Sequence, residues 1–117
     1  MTADDGDEDD ELDTAFELLA DRRRRAVIEV LRTAPRGALE LPALVEAVAT
    51  ECGVDADALR STLHHQHLPK LDEAGIVDFD REEGVVSYDP HPLVERCLDV
   101  AQSYRSDQWM RGSSGPD

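Results

Sequence analysis

A mainly helical domain closed by a small β-hairpin is the fold class this sequence predicts. Two observations carry it. Apolar residues recur at helical spacing in five stretches between residues 14 and 104. Two short alternating runs, Ile76-Val77-Asp78-Phe79-Asp80 and Val85-Val86-Ser87-Tyr88-Asp89, flank the turn Arg81-Glu82-Glu83-Gly84. The chain has 117 residues, the length of one domain, so these pieces share a single core.

The first helix is short, capped by Asp13 or Thr14 and carrying Phe16, Leu18 and Leu19. Asp21 caps the second, from Arg22 to about Thr33, with Ala26, Val27, Val30 and Leu31 on one face. Ala34-Pro35-Arg36-Gly37 ends it. Leu39 and Leu41 alternate around Glu40 over a length that suits one bridge strand. Pro42 fits the first turn of a third helix, where its missing N–H costs nothing; that helix buries Leu44, Val45 and Val48 and stops near Cys52-Gly53. Asp55 or Asp57 opens the longest helical segment, with Leu59, Leu63, Leu68, Leu71 and Ala74 as apolar positions and Gly75 as its stop. Pro69 lies inside it, removes a backbone donor and predicts a kink or break. After the hairpin, Pro92 opens a last helix with Leu93, Val94, Cys97, Leu98, Ala101 and Tyr104 on one side. Three helices followed by a two-stranded wing make a winged helix-turn-helix. In this reading residues 1–11 are a disordered acidic tail, 12–104 the winged-helix domain with its dimerisation helix at 92–104, and 105–117 a flexible tail.

Composition narrows the setting. Asp and Glu number 27 against 12 Lys and Arg, a net charge of −15, and Lys70 is the single lysine. The run Asp4–Glu11 holds seven of those acids, leaving a net of −8 on residues 12–117. Excess carboxylates with almost no lysine suit concentrated salt, where the Debye length falls to about 3 Å at 1 M. The expectation is a halophilic protein; an acidic mesophilic one is the alternative. The acidic start is the opposite of a signal peptide, and no apolar run is long enough to span a membrane, so a soluble, cytoplasmic protein is expected. Cys52 and Cys97 lack paired spacing and read as free, partly buried thiols rather than metal ligands.

The segment His67-Leu68-Pro69-Lys70-Leu71-Asp72-Glu73-Ala74-Gly75-Ile76-Val77 resembles the His-Leu-x-x-Leu-x-x-Ala-Gly-(Leu/Ile)-Val junction of ArsR-type winged-helix regulators, which joins recognition helix to wing. With Leu18-Leu19-Ala20-Asp21-Arg22-Arg23-Arg24-Arg25-Ala26-Val27 and His65-Gln66-His67-Leu68, residues 12–100 are similar to a haloarchaeal winged-helix family of unknown function. The resemblance implies an archaeal transcriptional regulator. Metal-sensing ArsR members carry a cysteine cluster in the helix before the recognition helix, where this chain has only Cys52.

The clearest functional signal is an absence of acid. Residues 58–71, fourteen in all, contain no Asp or Glu and hold Arg60, Ser61, Thr62, His64, His65, Gln66, His67 and Lys70. Such donors and adaptable polar groups meet phosphates and base edges in a major groove, which makes residues 56–68 the expected recognition helix for double-stranded DNA. The plainer account is a helix packed on both sides with few exposed positions. Arg22 and Arg23, in the run Arg22–Arg25, are expected to grip phosphate; ion pairing with Asp13, Glu17, Asp21 and Glu29 is the alternative. Of the histidines only His64 and His67 have the spacing of a ligand pair, with no third ligand in view, so no metal is expected. One histidine should sit in the core with its ring N–H on a carbonyl. The turn Asp80-Arg81-Glu82-Glu83 is mostly acidic, unlike a wing that enters a minor groove. No phosphate loop or nucleophile motif is present, so neither an enzyme nor a cofactor is expected. The 3-4-3 spacing of Val94, Cys97, Ala101 and Tyr104, with Leu93 and Leu98 beside them, predicts a homodimer through the last helix. The rival to a DNA-binding regulator is a protein-interaction module that keeps the fold without DNA binding.

Overall fold

A computed structural model describes the backbone of residues 2–114 and the side chains of residues 10–103. It is mainly helical, in the order α1 (Thr2–Leu19), α2 (Arg22–Thr33), β1 (Ala38–Glu40), α3 (Leu41–Cys52), α4 (Ala56–Thr62), α5 (Leu68–Glu73), β2 (Val77–Asp80), β3 (Val85–Tyr88) and α6 (Pro92–Ser114). A 3-10 turn at Pro35–Gly37 precedes β1, and a π turn at Leu63–His67 joins α4 to α5. Both end helices run past the bounds the sequence suggests: α1 begins within the stretch read as an acidic tail, and α6 continues beyond residue 104. Among the described residues no helix is long and apolar enough to cross a membrane.

The caps follow local chemistry. The Asp21 side chain accepts from the Arg23 N–H at 2.8 Å and starts α2. Asp55, not Asp57, starts α4, accepting from the Ala58 N–H at 3.0 Å. Gly53, at φ +67°, closes α3 in the left-handed conformation that a side chain disfavours. The strands form one antiparallel sheet in the order β1-β3-β2, with Leu39 opposite Val86 and Phe79 opposite Val86 on the other edge. The predicted bridge strand is thus a third strand of the hairpin's sheet.

One core joins all the elements. Val27, Ile28, Leu31, Leu44, Val48, Leu63, Leu68, Leu71 and Val86 are fully buried, and Leu18, Leu59, Phe79, Val94 and Leu98 close around them. Ile28, which the predicted face of the second helix omits, is fully buried, whereas Val30 packs at the margin. Ala74, predicted as apolar packing, is exposed. The start of α6 is tied down by polar groups. Tyr88 donates to Glu95, and Glu95 also pairs with Arg32 of α2 at 3.1 Å. Burial, then the Glu95 hydrogen bond and charge, raise the Tyr88 hydroxyl well above the ordinary phenol range.

The helix is not broken at Pro69: α4, the π turn and α5 follow one another without a gap. Pro69 sits in the first turn of α5, and the Leu68 N–H reaches back to the Leu63 carbonyl, five residues away. The leucine spacing gives a physical reason. In an uninterrupted α-helix Leu68 lies about 180° around the axis from Leu59, on the solvent side. One extra residue in a turn, the defining feature of a π turn, rotates the following residues back by about 100°. Leu68 and Leu71 then join Leu59 and Leu63 on the core face, where all four are buried.

Candidate functional site

The helix that carries the acid-free window presents a continuous polar face. Arg60, Ser61, His65, Gln66 and Lys70 are exposed; Thr62 and His64 are half-buried. Arg60 and His64, Ser61 and His65, and Thr62 and Gln66 are each four residues apart, so the pairs stack along neighbouring turns. The Thr62 hydroxyl donates to the Ala58 carbonyl at 3.1 Å and keeps its acceptor side for a ligand. Lys70 lies 3.9 Å from Glu17 of α1, with the two side chains 48% and 71% exposed, a contact too solvated to hold the ammonium in place.

The face reaches the hairpin through an aromatic contact. The His64 ring meets Phe79 of β2 edge-on at 5.6 Å and His65 at 4.7 Å. Arg81 folds its guanidinium over the Phe79 ring, 5.5 Å from its centroid. At the tip, one oxygen of Asp80 accepts the backbone N–H groups of Glu82 and Glu83, each at 3.1 Å, which holds the turn tight. Asp78, Asp80, Glu82 and Glu83 are all exposed there. The acidic tip predicted from sequence is therefore an exposed acidic lobe beside the polar face, with its one cation turned back onto Phe79.

Three side chains of the arginine run, Arg22, Arg24 and Arg25, bind helix carbonyls. Arg24, 8% exposed, donates from Nε to the Leu18 carbonyl at 2.7 Å and from Nη2 to the Glu17 carbonyl at 3.1 Å. Arg25 donates to the Leu19 carbonyl at 2.6 Å. Arg22 reaches the Glu51 carbonyl in the last turn of α3 at 3.3 Å. A cation on the bare carbonyls of a helix end is favourable by both hydrogen bonding and the helix dipole. Arg23 stays exposed, and Arg22 is exposed apart from its one bond.

His67 is the core histidine. It is fully buried, and its Nδ1 takes a hydrogen bond from Arg24 Nη1 at 3.1 Å instead of a ring N–H meeting a carbonyl. A guanidinium has no acceptor, so Nδ1 must present its lone pair and the proton sits on Nε2. That Nε2 has no partner among the described residues. Burial pushes the imidazole below its ordinary pKa; the Asp21 carboxylate opposes this, while Arg24, Arg23 and Lys70 add to it. Asp21 itself is held low: burial would raise it, but the Arg23 N–H and nearby cations outweigh burial. Among the described residues no group of three or more His, Cys, Asp or Glu side chains is placed to hold a metal ion. Cys52 and Cys97 are free and half-buried.

The predicted dimer stripe is divided by the fold. Val94 and Leu98, each 1% exposed, face the protomer's own core and leave nothing for a partner. Leu93, Cys97 and Ala101 are half-buried, and the Tyr104 side chain lies outside the described residues. The uncovered apolar surface lies one step around the helix, at Val100 (68% exposed), with Phe16 of α1 (56%). These two residues border a groove of about 500 Å³ whose other walls include Leu19, Cys97, Ala101, Arg25 and Arg96. The available signal in the sequence was Phe16 itself, spaced for the same face as Leu12 and Leu19.

Residues 16–87 match the model of a family described as Domain of unknown function (DUF7344). No curated protein and no solved structure was found to match.

Proposed function

The chain belongs to this family of unknown function, DUF7344, and from that premise we propose that it is a DNA-binding transcriptional regulator with a winged helix-turn-helix. In this reading α3 and the α4–α5 segment are the helix-turn-helix, β2 and β3 are the wing, and α4–α5 enters the major groove. The observation that carries it is the exposed set Arg60, Ser61, His65, Gln66 and Lys70 within residues 58–71, which hold no acid, in a chain of net charge −15. Arg60 and Gln66 supply the bidentate base contacts, and Ser61, Thr62, His64 and His65 add shorter ones. Arg22, Arg23 and Lys70 serve the phosphates. The β1-β3-β2 sheet order and the placement of the hairpin after α5 support the same arrangement. The ArsR-like junction at His67–Val77 supports it further, and the lysine-poor acidic composition fits a haloarchaeal protein working in molar salt. A homodimer would present two such helices to a two-fold operator.

The acidic hairpin tip favours a second reading, a protein-interaction module that keeps this fold and leaves DNA alone. Selection of duplexes from a random pool in 1–3 M KCl separates the two, those concentrations being about the range where carboxylate repulsion is screened. Enrichment of a two-fold motif that Arg60→Ala erases supports the regulator. No enrichment from a folded protein supports the interaction module.

A further inference from the structure

We propose that the groove between α1 and α6 is the seat of a second copy of this chain, with Phe16 of each copy inserted into the groove of the other. This rests on the homodimer of the regulator reading and replaces the stripe through Val94 and Leu98, which the protomer itself consumes.

The surface is self-complementary in shape. A two-fold interface must offer the same patch twice, so it needs a projection and a recess side by side. Phe16 is the projection: it is 56% exposed, and Leu12, one turn earlier on the same face, is 36% exposed. The recess beside it holds about 500 Å³ and is walled by Leu19, Cys97, Val100 and Ala101. Exposed apolar patches rimmed by charge mark association surfaces, and Phe16 and Val100 are the most exposed large apolar side chains among the described residues.

Charge is complementary in the same sense. The recess is rimmed by Arg25 and Arg96. Arg25 is partly engaged with the Leu19 carbonyl, whereas Arg96 is exposed and in no ion pair among the described residues. The projection is flanked by acid: Asp13, three residues before Phe16 and so on the same side of α1, is exposed. Inserting one copy's Phe16 into its neighbour's groove brings an acidic shoulder to a basic rim twice over. A net charge of −15 disfavours a free anionic amphiphile in this groove, while a second copy brings carboxylates at fixed positions and molar salt screens the remaining repulsion.

Sedimentation equilibrium of the full chain without DNA, in about 2 M KCl, where the screening length is only a few ångströms, tests this at micromolar protein. The wild type is expected to be a dimer. Phe16→Asp and Val100→Asp, both at exposed positions, should each weaken dimerisation at least tenfold while thermal melts of the protomer stay cooperative. Arg96→Glu should weaken the dimer, and adding Asp13→Arg should restore it. A wild type that stays monomeric, or a dimer indifferent to Phe16→Asp and Val100→Asp, overturns the proposal. With no DNA in the cell, the result stands whether or not the DNA reading holds.

Discussion

Arg24 and His67 are the buried polar side chains among the described residues, and they form one unit. Arg24 ends α1 by bonding two of its carbonyls and holds His67 of the π turn as an acceptor. The consequence is a pH dependence with a definite sign. His67 is neutral in the fold, with its pKa lowered from 6.5, so below that value the unfolded chain takes up a proton that the folded chain refuses. Its contribution is therefore fully present above pH 6.5 and is lost as the pH falls from there through the lowered folded value. His67→Gln, which keeps an acceptor for Arg24 and does not titrate, should remove that part of the slope in denaturation curves taken between about pH 7.5 and 5.5, one unit either side of the ordinary imidazole value. The face assignment makes a second prediction. Leu71→Ala should destabilise by about 2–5 kcal/mol, whereas Arg60→Ala and Gln66→Ala should shift stability by roughly 0.5 kcal/mol or less and weaken DNA binding. If the surface changes unfold the protein as readily as Leu71→Ala, the polar face is misassigned. At this scale the sequence showed which residues stand in the acid-free window, because composition is local. It did not show that Arg22, Arg24 and Arg25 bind backbone carbonyls, because those carbonyls belong to helix ends that only the tertiary fold brings near.

The π turn is where local sequence and tertiary packing disagree. Leu59 and Leu63 set one face, Leu68 and Leu71 a face shifted by one residue, and the extra residue reconciles them. Deletion of His65 should restore a plain α-helix through this segment with all four leucines still facing the core. That variant should fold, with a smaller loss than Leu71→Ala, and should keep Arg60 and Gln66 at nearly the same angle about the axis, so DNA binding should fall only by the loss of the His65 side chain. A His65 deletion that unfolds the protein would mean the turn is set by Pro69 and not by leucine spacing; circular dichroism melts decide it. Helices from Arg22 to Glu73 and the hairpin were legible in apolar periodicity, caps and turn residues. The π turn was not, since proline alone gives the position of a disturbance and not how the helix absorbs it. The pairing of β1 with β3 was also hidden: three residues carry little alternation, and the partner strand lies far along the chain, with Leu39 opposite Val86, 47 residues on.

For the whole molecule, charge and function pull in opposite directions. In the regulator reading, a chain of net charge −15 approaches a polyanion with only a small acid-free face to offer. Ordinary DNA-binding proteins release condensed cations and lose affinity steeply with salt. In the regulator reading, molar KCl screens repulsion from the acidic hairpin tip and the remaining surface, and cations shared between carboxylates and phosphates would enter the complex. The slope of log affinity against log salt should therefore be shallow or positive. The division of the surface was half-legible from sequence: the acid-free window showed, but the Phe16–Val100 groove needed α1 and α6 to be brought together. The most direct measurement is fluorescence anisotropy of a labelled duplex, enriched from the random pool, titrated with protein between about 0.5 and 3 M KCl, spanning Debye lengths from somewhat above to below the 3 Å of molar salt. The account predicts saturable binding that persists or strengthens toward high salt and that Arg60→Ala with Gln66→Ala abolishes in a folded protein. Absence of sequence-dependent binding at every salt concentration, from a protein that melts cooperatively, would contradict it.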